Sequence, residues 1–425
     1  MKNNKKACPA ASGEPRLWRE QGRRVFVAMS GGVDSSVAAL LLKKQKYDVV
    51  GVFMKFWMDT DSRRLNENKC CSLEARQDAM AVCAKLKIPF LTWDFQKEFK
   101  RTVVDDFICG YKKGITPNPC VICNKEIKLG LFLKKALKMG ADYVATGHYI
   151  RIKNYVFAHS KSPEGLLRIK NNKNPLFIIH HSLFTARDAQ KDQSYFLWTL
   201  TQKQLKHCLF PIGDYLKRDV RQIAKKANLP VAFKKESQEV CFVKDKDLYG
   251  FLKTRIHTDK GEIIELKTGK KLAEHNGVEF YTIGQRVPVG GIGPYYVGNK
   301  NIKKNQLLVV QKNDKNFFRK EIILKNVNWV SGQPPRLRPA YAKATAGKQG
   351  FGGQAKSAKI LVRTRYRQPL IRASFIIHNS LFKLVFDQPV KFVAPGQSAV
   401  FYNKQGPSYA KASAGKELLG GGIIV

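Results

Sequence analysis

The sequence predicts an α/β protein, with a parallel sheet covered by helices in its N-terminal part and a small β-barrel towards its C-terminal end. Two observations predict it. Short apolar runs at 25–29 (VFVAM), 49–54 (VVGVFM), 88–93 (IPFLTW) and 142–146 (DYVAT) alternate with helix-periodic stretches at 35–45, 72–87 and 125–139. Alternating strands and helices build a parallel sheet with helices on both faces. From about residue 278 the pattern changes to short β-type runs (VEFYTIG, PYYVGN, QLLVV, AVFYN) separated by Gly, Pro and Asn, as in a small barrel.

Bulk composition agrees. A chain of 425 residues exceeds one ordinary core, so roughly two or three domains are expected. Hydrophobic residues make up 44% and aromatic residues 11%, which excludes a wholly disordered chain. The apolar runs are short and broken by Lys, against a membrane span, and residues 1–24 lack the apolar middle of a signal peptide. The cysteines number nine, without framework spacing, which indicates a reducing compartment; the chain reads as cytoplasmic. A net charge of +43 attracts polyanions, a large nucleic acid first among them. Because the excess runs along the whole chain, a generally Lys-rich surface is the competing reading.

Taken in order, the first strand stops at Ser30-Gly31-Gly32, Asp34 and two serines follow, and a helix begins near Ser35. Glycines let the backbone approach a ligand closely. The helix start offers unpaired N–H groups and the positive end of its dipole, which suits a phosphate. Serine hydroxyls add donors, and Asp34 could hold a Mg²⁺ accompanying the phosphates. No Lys occupies the place that a G-x-x-x-x-G-K-[ST] loop requires. The second strand leads into Met54-Lys55 and the fourth into Gly147-His148. Ligands of such folds bind outside the carboxyl ends of the strands, so all three strand ends should line one edge. In the helix at 72–87, Leu73, Ala79, Val82, Cys83 and Leu86 recur at helical spacing.

Cys120 and Cys123 form a C-x-x-C in a Pro/Gly-rich loop before the helix at 125–139. A zinc half-site, inert thiols and a reactive thiol are the three readings. Zinc needs two more ligands, and the adjacent Cys70-Cys71 make an awkward second pair, so no metal set is expected. A thiol near a helix N-terminus, with Lys125 nearby, should have a lowered pKa and act as a thiolate, which fits better. Cys241, beside Val240 and Phe242, reads on its own as a buried structural cysteine. Residues 215–228 form an amphipathic helix with Leu216, Val220, Ile223, Ala224 and Ala227 on one stripe.

Beyond these local readings, SGGVDSS resembles the pyrophosphatase loop of enzymes that cleave ATP to AMP and pyrophosphate. FMKFW (53–57), TPNPCVICNKEIKLG (116–130), ATGHY (145–149), KDQSYFLW (191–198), SQEVCFV (237–243), YTIGQR (281–286), RTRYRQ (363–368) and PGQ (395–397) stand in the order of the tRNA-specific 2-thiouridylase family. The resemblance covers roughly residues 23 to 425. It implies a Rossmann-like ATP-pyrophosphatase domain at 23–205, a small central tRNA-adaptation domain at 206–277 that includes the 215–228 helix, and the β-barrel domain at 278–425. The implied activity is ATP-dependent 2-thiolation of the wobble uridine in Glu, Gln and Lys tRNAs, with ATP and Mg²⁺ as cofactors. The implied partners are tRNA and a persulfide donor, a cysteine desulfurase or a sulfur-relay protein, with no membrane.

The same resemblance assigns residues. Cys123 matches the catalytic nucleophile and Cys241 the cysteine that carries the persulfide. Ala28, Met29, Ser30, Gly31, Gly32, Val33, Asp34, Ser35, Met54 and Gly147 match ATP-binding positions. Asn118, Pro119 and Cys120 match the target-base loop, and His148, Lys191, Asp192, Gln193, Arg365, Tyr366 and Gln397 match tRNA contacts. Arg binds phosphates and Tyr stacks on bases, whereas Lys191–Gln193 could equally cap a helix and His148 could be packed. Arg363, Arg365 and Arg367 alternate, so in a strand they would share one face. The chain departs from the family where many members carry Asp in place of Cys120. The near-copies AYAKATAGK (340–348) and SYAKASAGK (408–416) read as flexible basic insertions, and residues 1–22 and 153–182 also differ from the family pattern.

Overall fold

The computed structural model describes residues 22–58, 72–158, 177–235, 240–243, 247–289, 293–312, 314–334, 338–339, 356–378, 380–403 and 415–425. Cys70, Cys71, AYAKATAGK, nearly all of SYAKASAGK, residues 1–21 and residues 237–239 of SQEVCFV lie outside them.

Strands β1 (Arg24–Met29), β2 (Asp48–Lys55), β3 (Phe90–Asp94), β4 (Tyr143–Ala145) and β7 (Cys208–Leu209) form one parallel sheet in the order β3-β2-β1-β4-β7. The central strand β1 is apolar throughout its buried part, with Val25 and Val27 fully inaccessible, as a parallel strand covered on both faces should be. The chain leaves β1 towards β2 on one side and returns through β4 on the other. The order therefore reverses at β1, and a crevice opens there at the strands' carboxyl ends. Helix α1 (Val33–Lys44) carries Asp34 in its first turn and Lys43 and Lys44 in its last, matching its dipole. Helix α2 (Leu73–Leu86) is capped by Ser72, whose Oγ accepts the Ala75 N–H at 3.0 Å.

Several expected boundaries move. The strand expected from residue 88 begins at Phe90, because Pro89 has no N–H to give a ladder. Its carbonyl instead accepts the Gly51 N–H at 2.8 Å. The helix expected at 125–139 begins at Pro119 and runs without a break to Lys138, with a π-helical middle from Cys123 to Leu131. Asn118 caps it, accepting the Val121 N–H, and Pro119 takes the first position, where no N–H is needed. Cys120 and Cys123 thus lie in the opening turns of that helix and not in a loop before it. A further helix at 96–112, also with a π segment, had no clear periodic signal. The amphipathic stretch at 215–228 is the helix Lys217–Lys226. It was expected in a central domain, but its Val220 and Ala224 pack with Val37, Ala38 and Leu40 of α1 in the core of the first sheet.

Strands β5 (Ile150–Ala158) and β6 (Phe177–Thr185) pair as a hairpin. Strands β8 (Gly261–Glu265), β9 (Lys271–His275), β10 (Arg286–Val287), β11 (Tyr295–Asn301) and β12 (Gln306–Gln311) form a second sheet around Ile263, Val297, Leu307 and Val309. It draws strands from both sides of residue 278. Strands β13 (Phe318–Trp329), β14 (Arg338–Pro339), β15 (Lys356–Arg363), β16 (Ile371–His378), β17 (Leu381–Lys391), β18 (Ser398–Tyr402) and β19 (Glu417–Ile424) build the third. In it the order β13-β17-β16-β15-β18-β19 closes on itself through the β13–β19 pairing, the barrel the sequence predicts. The β5–β6 hairpin extends this sheet, with Phe184 and Leu183 opposite Glu417 and Leu418. No helix among the described residues is long and apolar enough to cross a membrane.

Candidate active site

The loop after β1 turns on Gly31, whose φ of +69° favours glycine; a Cβ there would lie 2.9 Å from the Ala75 carbonyl carbon. Hydroxyls hold the loop from within. Ser35 Oγ accepts the Ser30 N–H at 3.2 Å, and Ser36 Oγ donates to the Gly32 carbonyl at 2.8 Å. The side chains of Met29 and Val33 are buried in the core of the sheet and that of Met54 in the neighbouring cluster, and Ala28 is buried too. Where these residues meet a nucleotide they would do so through their backbone. Gly147 closes the other side: a Cβ there would sit 2.7 Å from Ser35 N and 2.8 Å from Asp34 C. Only a residue without a side chain lets the loop after β4 rest on the start of α1.

Asp34 is the charged centre of this crevice. Its Oδ1 accepts from the Tyr149 hydroxyl at 2.9 Å and pairs with Lys217 Nζ at 2.6 Å. The carboxylate is a third exposed and the lysine side chain mostly buried. Lys217 also lies over the Tyr149 ring, 5.8 Å from its centre. A partly exposed carboxylate at a phosphate loop has the chemistry to take a divalent ion once Lys217 turns aside, so Asp34 fits a Mg²⁺ brought with a nucleotide. Neither Lys217 nor Tyr149 emerged as a site residue from the sequence. Tyr149 ends the ATGHY motif, whereas Lys217 gave no signal beyond opening an amphipathic helix.

The cysteine helix reaches the same edge by topology. It ends just before β4, which is parallel to β1. A helix that feeds the amino end of such a strand must itself begin near the carboxyl edge. Cys123 is buried in a cluster with Met54, Phe56, Val121 and Ile127, and Cys241 packs half-buried against that same cluster. Phe242 anchors the Cys241 segment, its ring 5.9 Å from Phe99, 5.3 Å from Phe107 and 5.6 Å from Phe251. Cys120 is exposed. Beside Cys123, buried Asn124 donates its amide to the Phe196 carbonyl at 3.2 Å. Among the described residues no three His, Cys, Asp or Glu stand together as a metal site.

The residues matched to tRNA contacts divide. Asp192 is buried and takes four hydrogen bonds: from Ala186 N (3.0 Å), Ser194 N (3.3 Å), Ser194 Oγ (2.8 Å) and Arg363 Nη1 (2.6 Å). It braces the barrel against the first domain, and its oxygens are engaged within the protein. Ser194, Tyr195 and Trp198 of the KDQSYFLW stretch work in the same seam. Tyr195 OH donates to Ser398 O at 3.0 Å, Trp198 Nε1 to Ser398 Oγ at 3.1 Å, and Ser194 Oγ meets Tyr402 OH at 2.9 Å. Gln193 is tied to Tyr149, its Oε1 accepting the Tyr149 N–H at 2.9 Å, while Lys191 is half-buried in the turn. His148 is buried, its Nδ1 2.7 Å from Thr146 Oγ1; burial, with Lys128 adding to it, pushes its pKa down to about 3. A neutral imidazole cannot serve as a cationic phosphate contact.

On the barrel side, β15 ends at Arg363, so Arg363, Arg365 and Arg367 do not share a strand face. Arg365 donates to the Ile283 carbonyl at 2.6 Å, and burial lowers its pKa. Tyr366 packs on Phe196, ring centres 4.5 Å apart. Gln397 Nε2 donates to the carbonyls of Thr116 (2.9 Å) and Pro117 (3.3 Å). It thereby holds the loop that leads to Asn118, Pro119 and Cys120. The seam residue Arg363 was named in the sequence only as part of the alternating run.

The fold and this edge define a class: an α/β nucleotide-binding domain with a phosphate loop at its topological switch point. Three family models match the chain. They are described as a tRNA methyl transferase HUP domain over residues 23–245, a tRNA methyl transferase PRC-barrel domain over 249–311 and an aminomethyltransferase beta-barrel domain over 319–424. A tRNA-specific 2-thiouridylase of Buchnera aphidicola is 40% identical, covering 90% of this chain and 94% of that protein. One from Geobacillus thermodenitrificans is 39% identical over 94% of each. A solved complex of a 4-thiouridine synthetase with RNA and bound ATP matches 52% of this chain and 45% of its own, at 15% identity and a TM-score of 0.30, too slight a likeness to argue from. The chain belongs to the tRNA-specific 2-thiouridylase family.

Proposed function

We propose that this protein is a tRNA-uridine 2-sulfurtransferase that thiolates C2 of the wobble uridine in Glu, Gln and Lys tRNAs, at the expense of ATP. One observation carries the reading: the topology brings a helix with Cys123 in its opening turns to the edge that holds the phosphate loop. A sulfonium methyl donor carries no phosphate, so the word methyl in the family-model descriptions finds no counterpart in this edge. The uridine must leave the anticodon stack to reach the site.

The loop Ser30–Gly32 and the start of α1 bind the triphosphate, with Ala28, Met29, Val33, Ser35, Met54 and Gly147 around the nucleotide. Asp34 would hold a Mg²⁺, which neutralises phosphate charge; Lys217, already on Asp34, is placed to turn to the phosphates. Uridine O2 attacks the α-phosphorus and pyrophosphate leaves, which makes O2 a good leaving group. The terminal sulfur of a persulfide on Cys241 then attacks C2, and AMP departs. Cys123 thiolate attacks Cys241 Sγ, freeing the 2-thio group and leaving a Cys123–Cys241 disulfide. Asn118, Pro119 and Cys120 flank the target base. Gln397, Arg365 and Tyr366 serve tRNA binding from the barrel side, with Lys191 and Gln193 in the turn. A cysteine desulfurase or sulfur-relay protein loads Cys241, and the reducing cytoplasm suits that chemistry. The parallel-sheet unit with its Lys217–Lys226 helix carries catalysis, the second sheet serves tRNA adaptation, and the third closes the barrel.

The test supplies purified protein with ATP, Mg²⁺, a persulfide source and tRNA bearing a wobble uridine. AMP release together with 2-thiouridine, and loss of the thiolated base in both Cys123→Ser and Cys241→Ser, is the expected outcome. AMP without 2-thiouridine sends the reaction to another acceptor.

A further inference from the structure

We propose that Cys120 and Cys123 form a redox dithiol, in which Cys120 resolves the disulfide that each round of sulfur transfer leaves on Cys123. The inference rests on the thiolation reading above and adds a step that returns the enzyme to its starting state.

The two cysteines stand one turn apart on one continuous helix: the Cys123 N–H bonds back to the carbonyls of Cys120 and Pro119. Residues three apart on a helix have Cβ atoms about 5–6 Å apart, whereas a disulfide needs about 3.5–4.5 Å. The bond therefore asks the first turn to tighten by roughly 1–2 Å. Strained and exposed disulfides are the readily reduced ones. Their exposure differs in the sense that resolution requires. Cys123 is 6% accessible and Cys241 half-buried within one apolar cluster, but Cys120 faces solvent. A reducing protein must bring its thiolate into line with a sulfur: Cys123 is buried and Cys241 half-buried, whereas Cys120 presents an exposed one. Cys120 can attack from within the same turn.

The exchange balances. Cys120 thiolate attacks Cys123 Sγ, the Cys120–Cys123 bond forms, the Cys123–Cys241 bond breaks, and Cys241 leaves as a thiolate ready for a new persulfide. No electron is gained or lost in that step. A dithiol of the thioredoxin type then attacks Cys120 Sγ, ending as its own disulfide and restoring both thiols.

The experiment runs one round without reductant, quenches with N-ethylmaleimide and maps the cysteine peptides. Wild type should yield a Cys120–Cys123 disulfide with Cys241 alkylated, and Cys120→Ser a Cys123–Cys241 disulfide. In steady state, the ratio of the rate with thioredoxin to that with dithiothreitol should fall at least about tenfold in Cys120→Ser, because the disulfide left there is less exposed to a protein than to the small dithiol. A wild-type chain that retains Cys123–Cys241 after one round, or an unchanged ratio in Cys120→Ser, overturns the proposal. A wild-type first round that makes no 2-thiouridine overturns it differently, by removing the thiolation reading beneath it.

Discussion

Replacing Arg363 by Met should loosen the barrel from the first domain. Arg363 Nη1 lies 2.6 Å from Asp192 Oδ2, with 13% of the arginine side chain and 1% of the aspartate accessible. Removing one partner of a buried pair typically costs about 3–5 kcal/mol, because the other charge stays buried without it. Here the Asp192 carboxylate keeps three donors, the N–H groups of Ala186 and Ser194 and the Ser194 hydroxyl. The lower end, about 3 kcal/mol, is therefore expected. Methionine preserves much of the stem that packs near the Tyr402 ring, 5.4 Å from the guanidinium. Asp192→Asn should also destabilise, and the double variant should be less damaged than the sum of the two by about 2 kcal/mol. Urea unfolding followed by tryptophan fluorescence is the assay, since Trp198 hydrogen-bonds across the same seam. If both single variants lose less than about 0.5 kcal/mol and add independently, while tRNA affinity drops, the bracing role is wrong and Asp192 touches RNA after all.

Two further outcomes follow from the geometry. Gly31→Ala places a side chain at φ +69° and 2.9 Å from a backbone carbon of α2. The left-handed backbone alone costs about 1–2 kcal/mol, so equilibrium binding of an ATP analogue with an uncleavable α–β bridge should weaken at least about tenfold. Acid should destabilise the fold through two histidines. Burial holds His148 at about 3 and His181 at about 4, whereas an unfolded imidazole titrates near 6.5. Between those values the unfolded chain binds the extra protons, so stability falls as pH drops below about 6.5. At pH 5 each histidine contributes a loss of about 2 kcal/mol. Melting curves from pH 7 to 5 should show the decline, and His148→Gln should flatten it; an unchanged slope would mean that the ring is hydrated.

The sequence by itself determined four of the five strands of the first sheet, missing only the two-residue β7, and pointed to the chemistry of its edge. Apolar runs such as VFVAM can be satisfied only between two covering layers, and SGGVDSS between strand and helix has few uses other than an anion. Periodicity is a local property, so α1, α2 and the strands were legible to within a few residues. The start of the cysteine helix was missed because Pro119 reads as a loop residue until Asn118 is seen to cap it. What only the tertiary structure decided is the pairing of residues far apart in the chain. Asp34 meets Lys217, Asp192 meets Arg363, and Gln397 holds Thr116, and no local pattern encodes any of these. The family motifs matched polar residues to RNA contacts, but a motif cannot tell a carboxylate aimed at a ligand from one aimed at another domain. Burial decides that, because a buried charge must spend its hydrogen bonds inside the protein.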